Sequence, residues 1–442
     1  MMIKEMKMFF NSGQTFDVTF RINQLKTLKR NLVRYEDEIY KALYRDLGKS
    51  KQESFFTEYY LVIREINYFL KNVKKFSKVK KVKVGLEGFS GKGLLYPEPY
   101  GVVLVISPWN YPVNLSLVPL VGAIAAGNCV VLKPSEYSEN VSKVLEKIIS
   151  ETFQNNYVRV INGGVEISKK LLEEDLDYIF FTGNPNVGKY VMKKAAEKLI
   201  SVTLELGGKN PAIVDATYEL EKTAKKIAWG KLLNAGQTCI SPDYLLIEKK
   251  IKDEFIYLLK IYMDKFKKDM ANIVNHRHIE RLQGLLSSTS GEVIYGGGVN
   301  GLRFEPTIVD NVKIEDVLMC EEIFGPILPI ISFENKEDVF EIISKNPYPL
   351  ALYVFSNDKY FLTRIFKIQA GGISVNDTIT HFVPEDFPFG GIKTSGIGRY
   401  HGKYSFETFT HYKPIYKKGI FEFQVRYPPY KRFKLFRKLL IK

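Results

Sequence analysis

Apolar and polar positions change rhythm about eighty residues into the chain. Before that point, QTFDVTFRINQLKTLKRNLVRYEDEIYKALYRDL spaces Phe16, Leu25, Leu28, Leu32 and Tyr40 at helical intervals amid charge. Helices are expected there, with another over Ser54 to Lys75. Beyond it, short apolar runs alternate with helix-length amphipathic stretches: VVLVIS, CVVLKP, VRVING, YIFFTG and SVTLELGG. The alternation resumes after Cys239, with YLLIEK, EVIYGGG, ILPIISF, ALYVFS and GGISVN as strands and Ile251 to Asp269 as a strong helix. Repeated strand and helix imply parallel sheets with helices on both faces. The expected fold class is α/β, with two parallel-sheet domains that meet near Leu206 to Lys209, where Gly207-Gly208 interrupts the pattern.

No charged residue occurs between Glu98 and Lys133, a length that could span a bilayer. Pro108, Pro112 and Pro119, with Asn110 and Asn114 between them, argue against it, since they would break a spanning helix and leave amides in lipid. A buried strand, a turn and a core helix are expected instead.

Composition adds bounds. A chain of 442 residues, 45% hydrophobic and 26% charged, suits two or three packed domains. Cys129, Cys239 and Cys320 are an odd, scattered set, which argues against a disulfide framework or a zinc site and for a reducing cytoplasm. The N-terminus has no apolar core of signal-peptide length. Of the net charge of +15, the segment from Tyr412 to Lys442 carries +9, with ten Lys or Arg against Glu422. A basic body suits nucleic acid, a membrane surface or simple solubility.

Four features carry candidate chemistry. Cys239 lies in the small, polar loop NAGQTCISPDY after the helical stretch Ala224 to Leu233. It is either a packed small residue, the usual fate of unpaired cysteines, or a thiol exposed by its loop and activated by a lowered pKa. Glu205 lies within SVTLELGGKNPAIV, read as one apolar strand. It is either strand-edge decoration or a carboxylate whose burial raises its pKa into the range of a general base, and the glycine pair after it favours the second. Trp109-Asn110 ends the strand VVLVIS, at the sheet edge where ligands bind. Asn110 is either a turn residue or an amide donor to a developing oxyanion. Finally, Gly183 and Gly188 bracket the turn FTGNPNVGKY between a strand and a helix from Val187 onward, whose N-terminus suits a pyrophosphate. Lys133 and Glu136 of LKPSE close another strand and either reach a ribose or are solvated loop charges.

Taken in order, PWNYP, LKPSE, FTGN with VGK, LELGGKNP, GQTC, EEIFGP and PFGGIKTSGIGRYHGKYSFETFTH resemble the aldehyde dehydrogenase superfamily from about Phe16 to about Tyr412. Glu205 and Cys239 stand 34 residues apart, the family's usual separation. The short region before PWN, the ending YHGKYSFETFTH and the later RYPPY resemble its class 3 branch, which includes dimeric and membrane-associated enzymes of fatty and aromatic aldehydes.

The resemblance implies a Rossmann-like cofactor domain over residues 1–206 with a small bridging segment near 84–100. It also implies a catalytic domain over 207–390, and a return segment, oligomerisation strand and basic tail over 391–442. It implies Cys239 as nucleophile, Glu205 as general base and Asn110 as oxyanion donor, with NAD or NADP as cofactor. Trp109, Asn184, Val187 and Leu206 would line the cofactor site, Lys133 and Glu136 would hold the adenine ribose, and Gly183 and Gly188 would flank the pyrophosphate. Glu322 and Phe324 would hold the nicotinamide ribose and ring, although Glu322 by itself reads as a surface carboxylate in a turn. The family commonly has Ser or Thr where this chain has Asn184.

The expected function is oxidation of an aldehyde, of medium or long chain, isoprenoid or aromatic, to its acid through a cysteine thioester, by a cytoplasmic homodimer without metal. A CoA-acylating relative is the alternative, and Glu205 favours hydrolysis. A non-enzymatic lipid- or nucleic-acid-binding protein is suggested only by charge, and no nucleic-acid-binding motif is found. The ending VRYPPYKRFKLFRKLLIK interleaves basic and apolar residues as a peripheral membrane anchor does, or is a solvated tail across a dimer.

Overall fold

The charge-free stretch after Glu98 becomes the strand Val102–Ile106, a bend at Trp109 and Asn110, the helix Asn114–Ala126 and the strand Cys129–Lys133. Every residue of the helix is buried, so it is apolar all round rather than striped. Pro119, expected as a breaker, is accommodated within it, where burial on all sides holds the turn. Arg21 closes its far end: the buried guanidinium donates to the oxygen of Ala125 at 3.2 Å, placing a cation at the negative helix terminus. In this computed structural model the described residues are 2–85, 88, 90–422, 427–430, 434, 437–438 and 441. Among them, no helix is long and apolar enough to cross a membrane.

Val102–Ile106 is central in a six-stranded sheet. Cys129–Lys133 and then Val158–Val160 pair on one side of it, and Tyr178–Gly183 and then Ser201–Leu206 on the other, all parallel. The chain thus reverses its direction of travel across the sheet at Val102–Ile106, and such a reversal opens a crevice beyond the carboxyl ends of the strands. Gly396–Ile397 returns from far along the chain to pair antiparallel outside Ser201–Leu206, with Gly396 opposite Glu205.

A seven-stranded sheet holds Tyr244–Glu248 at its centre, flanked by Ile327–Phe333 and Pro211–Val214, with Ala351–Phe355 beyond the latter. It is parallel except for Glu292–Tyr295, which pairs antiparallel with Thr307–Asp310 at one edge. SVTLELGGKNPAIV is therefore two strands in two different sheets, not one. The interruption at residues 207–210 carries the chain from one sheet to the other directly after Glu205.

The N-terminal region is helical as its periodicity predicts, over Met2–Asn11, Val18–Arg34, Glu36–Leu47 and Tyr60–Phe76. One wide, π-helical turn, Phe55–Tyr59, precedes the last of these. A three-stranded antiparallel sheet of Lys80–Val82, Lys92–Pro99 and Thr410–Lys417 forms a flank, with Thr410–Lys417 largely exposed along its edge. Most of the basic tail after residue 422, and residues 86, 87 and 89 of the bridging segment, lie outside the described residues.

Candidate active site

A cavity of about 1140 Å³ opens where the carboxyl ends of the six-stranded sheet face the loops of the seven-stranded one. Trp109, Asn110, Gly183, Asn184, Val187, Glu205, Leu206, Cys239, Glu322 and Phe324 all line it. Residues from five separate stretches of sequence thus line one cavity. Lys133, Glu136 and Gly188 stand off it. Lys133 is buried and donates to Glu136 at 2.9 Å, and neighbouring Tyr137 reaches the cavity instead. Gly188 lies inside the helix Pro185–Glu197, where a Cβ would fall 2.6 Å from Leu206 Cδ2; it allows close packing of helix on strand.

Cys239 follows the turn Leu233–Gly236, in which Asn234 and Ala235 hold left-handed φ of 52° and 55°. Non-glycine residues adopt this region at a cost that surrounding structure must hold in place. Gly236 makes the loop possible: its φ is 74°, and a Cβ there would lie 2.2 Å from the oxygen of Gly325. The GQTC and EEIFGP loops are packed backbone to backbone as a result.

The sulfur is half-buried, reached by the cavity but otherwise surrounded by protein. Burial pushes the thiol well above its ordinary value, and Glu322 and Glu205 push the same way, against the backbone N–H groups of Cys239 and Ile240. Of the two readings of Cys239, the loop does bring the sulfur to a cavity, but its surroundings push the thiol up rather than down. The loop is polar in composition, but it folds inward beside two carboxyl groups, and both effects disfavour the thiolate.

Glu205 is 3% exposed, and neither of its carboxyl oxygens has a hydrogen-bond partner among the described residues. Burial alone raises it well above the ordinary carboxylate range. Its strand is flanked on both sides, which removes the reading as edge decoration. Asn110 is likewise buried, and its side-chain nitrogen donates to the oxygen of Gln237 at 3.0 Å, two residues before Cys239.

Glu322 is no surface carboxylate. It faces the cavity, and Oε1 has no hydrogen-bond partner among the described residues. A Cβ on Gly207 would lie 1.9 Å from its Oε2. Burial, then Asp243, raises its pKa well above the usual range, against Lys209, Lys231 and Arg281.

Its turn is gripped from below: Asp243 accepts from the N–H of Ile323 at 3.1 Å and from Lys209 at 2.6 Å, and Lys209 donates to the oxygen of Glu321 at 2.9 Å. Fully buried Lys231 lies 3.9 Å from Asp243, and burial pushes its ammonium down to about 8. Phe324, at a left-handed φ of 50°, meets Trp109 edge to face at 5.4 Å, and His278 packs on Trp109 at 5.2 Å. Sequence reasoning missed Lys209, Asp243, Lys231 and His278. No local pattern marks them, although Lys209 and Asp243 stand within the quoted LELGGKNP and GQTCISPDY stretches.

The arrangement suits a nucleotide cofactor. Asn184 caps the helix Pro185–Glu197 by accepting from the N–H of Asn186 at 2.8 Å, so its side chain serves the helix end. That N-terminus lies on the cavity wall, a setting that favours phosphate. Glu322 supplies an unpartnered oxygen, and the absent Cβ of Gly207 lets its carboxyl pack directly against that backbone.

The pattern of the aldehyde dehydrogenase family matches residues 2–415. The chain belongs to the aldehyde dehydrogenase family. It is 44% identical over 436 residues to the 4,4'-diaponeurosporen-aldehyde dehydrogenase of Staphylococcus aureus, covering 96% of this chain and 95% of that protein. It is 40% identical to aldehyde dehydrogenase family 3 member A2 of Rattus norvegicus, covering 97% and 90%. A solved structure of substrate-bound Staphylococcus aureus AldH superposes with a TM-score of 0.97 at 43% identity, over 100% of this chain and 99% of that one. The dehydrogenase is thus of the class 3-like branch, with the α/β fold read from its pattern. It is an NAD(P)-dependent oxidoreductase acting on aldehydes.

Proposed function

We propose that this dehydrogenase oxidises a hydrophobic aldehyde, of medium or long chain or isoprenoid type, to its carboxylic acid, with Cys239 as nucleophile, Asn110 as oxyanion donor and Glu205 as base. The observation that carries the proposal is the convergence of Cys239, Asn110 and Glu205 on one cavity from three different loops and strands. On this reading residues 1–206 hold the cofactor, 207–390 carry the nucleophile, and 391–442 return to close the first sheet and form an outer strand.

Asn184, Val187 and Gly183 would receive the cofactor's phosphates, Lys133 and Glu136 its adenine ribose, and Glu322 and Phe324 its nicotinamide end between Trp109 and Leu206. When bound, the cofactor supplies the hydride acceptor. Cys239 must lose its proton before its sulfur adds to the aldehyde carbon, because the thiolate is the nucleophile. The oxyanion so formed is held by the Asn110 amide and the backbone N–H of Cys239. After oxidation the acyl group is a thioester on Cys239. Glu205 then takes a proton from water, which attacks the thioester carbon and releases acid and free thiol. A carboxyl kept neutral by burial is a stronger base, once ionised, than an ordinary carboxylate. It is this base that favours hydrolysis over transfer of the acyl group to CoA.

The hydrophobic substrate class is supported by the likeness to the Staphylococcus aureus and rat proteins and by the chain's end. Among the described residues, Ile420, Phe421, Tyr430 and Ile441 are 97%, 71%, 70% and 74% exposed amid Lys and Arg. Such a surface suits a cytoplasmic enzyme that touches anionic lipid peripherally. The exposed edge of Thr410–Lys417 supports a homodimer, since an unpaired strand edge is a template for another chain.

An aldehyde panel spanning chain length, run with NAD and NADP and followed by nicotinamide absorbance, tests the substrate reading. Preference for short polar aldehydes would overturn it. Deleting the chain after Tyr427 should weaken binding to anionic vesicles, and unchanged binding would reject the anchor.

A further inference from the structure

Lys49 is 1% exposed and Glu58 is fully buried. The Lys49 ammonium donates to Glu58 Oε1 at 2.7 Å and to the main-chain oxygen of Asn110 at 2.8 Å, and it sits 4.0 Å from the centre of the Tyr111 ring. The other oxygen of Glu58 accepts from the N–H groups of Val113 and Asn114 at 3.0 and 2.9 Å, capping the helix Asn114–Ala126. Glu58 comes from the wide turn Phe55–Tyr59, a local irregularity of a kind that recurs at functional sites.

The oxygen of Asn110 receives a second donor, Asn234 Nδ2, at 2.8 Å. The same nitrogen donates at 3.1 Å to the oxygen of Gln237, which also accepts from the Asn110 side chain. Both the peptide and the amide of Asn110 are therefore fixed, by Lys49 in the loop after the helix Glu36–Leu47 and by groups next to Cys239.

A buried ion pair is weak evidence for stability, because desolvating both charges costs about as much as their attraction returns. Its charge contributes little at the cavity either, since the Glu58 carboxylate neutralises the ammonium at 2.7 Å. What the pair supplies is geometry. A carbonyl held by an ammonium on one side and an amide on the other cannot rotate its peptide plane without stranding both donors.

We infer that Lys49 is a positioning residue for the oxyanion donor: by gripping the Asn110 carbonyl, it keeps the side-chain N–H that Gln237 does not take on the wall Asn110 shares with Cys239. The inference rests on the reading of Asn110 given above, and goes beyond it by assigning the N-terminal region a part in the chemical step.

The test is a double-mutant cycle of Lys49→Met and Asn110→Ala, reading the pre-steady-state burst of reduced nicotinamide with decanal and NAD. Circular dichroism and NADH fluorescence titration serve as controls of fold and cofactor affinity. Lys49→Met should slow the burst about tenfold or more with NADH affinity unchanged, and Lys49→Arg should restore part of it. In the Asn110→Ala background the same substitution should change the burst less than about twofold, because residues acting through one another are not additive. If Lys49→Met does not fold, Lys49→Met with Glu58→Gln removes the stranded carboxylate and enters the same cycle. An unslowed burst in folded Lys49→Met, or effects that multiply in full, overturn the inference while leaving Asn110 in its role. A full burst in Asn110→Ala alone overturns the reading of Asn110, and the inference with it.

Discussion

The side-chain amide of Asn110 donates to the main-chain oxygen of Gln237 at 3.0 Å, across 127 positions of sequence. That bond ties the end of a strand in the first sheet to the loop that carries Cys239. It occupies one N–H of the amide and leaves one for an oxyanion. Asn110→Ala should therefore lower kcat about a hundredfold to a thousandfold. NADH titration should show unchanged affinity, and a comparable loss of affinity would place Asn110 in cofactor binding instead.

Cys239→Ala should abolish turnover while leaving the fold and cofactor binding intact. The thiol is walled by protein rather than buttressing it, and the substitution removes one atom at a cavity. Residual steady-state oxidation above the uncatalysed rate would remove the nucleophile assignment.

Glu205→Gln separates the two half-reactions. It should keep the burst of reduced nicotinamide and slow the steady state that follows, because the carboxylate acts on the thioester. Loss of the burst would move Glu205 to the first half of the cycle.

The environment of Glu205 and Cys239 sets the direction of pH dependence. Both groups act deprotonated, and both are pushed above their ordinary values. The hydrolysis rate should climb with pH across a range well above that of an ordinary carboxylate at about 4.3, and Glu205→Gln should lose that limb. The burst should climb separately, with the thiol.

Stability should move the other way. The folded-state value of Glu205 is raised, so its favourable contribution is complete below the unfolded value and is lost as pH rises through the folded one. The fall in Tm as pH rises above the unfolded carboxylate value of about 4.3 should be smaller in Glu205→Gln than in the parent. An equal fall would mean that Glu205 ionises without cost.

Gly207→Ala tests the cofactor cradle. A Cβ there would lie 1.9 Å from Glu322 Oε2, so Glu322 must shift. NADH affinity should fall about tenfold or more, with thermal stability changed little. Unchanged affinity would release Glu322 from cofactor binding.

The sequence by itself determined the strands, the order of the motifs and, through them, the family. These are local properties: alternation of apolar runs, the proline and glycine breaks, and short stretches such as GQTC and LELGG. It also pointed to a buried carboxyl at Glu205. Only the tertiary structure decided the electrostatics. The Cys239 loop is polar in sequence, yet its thiol is raised, because burial and two carboxyl groups from distant strands surround it. Glu322 read as a surface residue until the loop of Gly207 covered it. SVTLELGGKNPAIV read as one strand because its apolar pattern barely pauses, and only the sheets show that it crosses between them. Lys49 is one of many lysines in a helical, charged region, and its grip on Asn110 spans 61 positions. Pattern along the chain reports which backbone conformation a segment favours. Desolvation and hydrogen bonding at a site depend on which segments the fold brings together, and that is settled only when the two sheets close on the cavity between them.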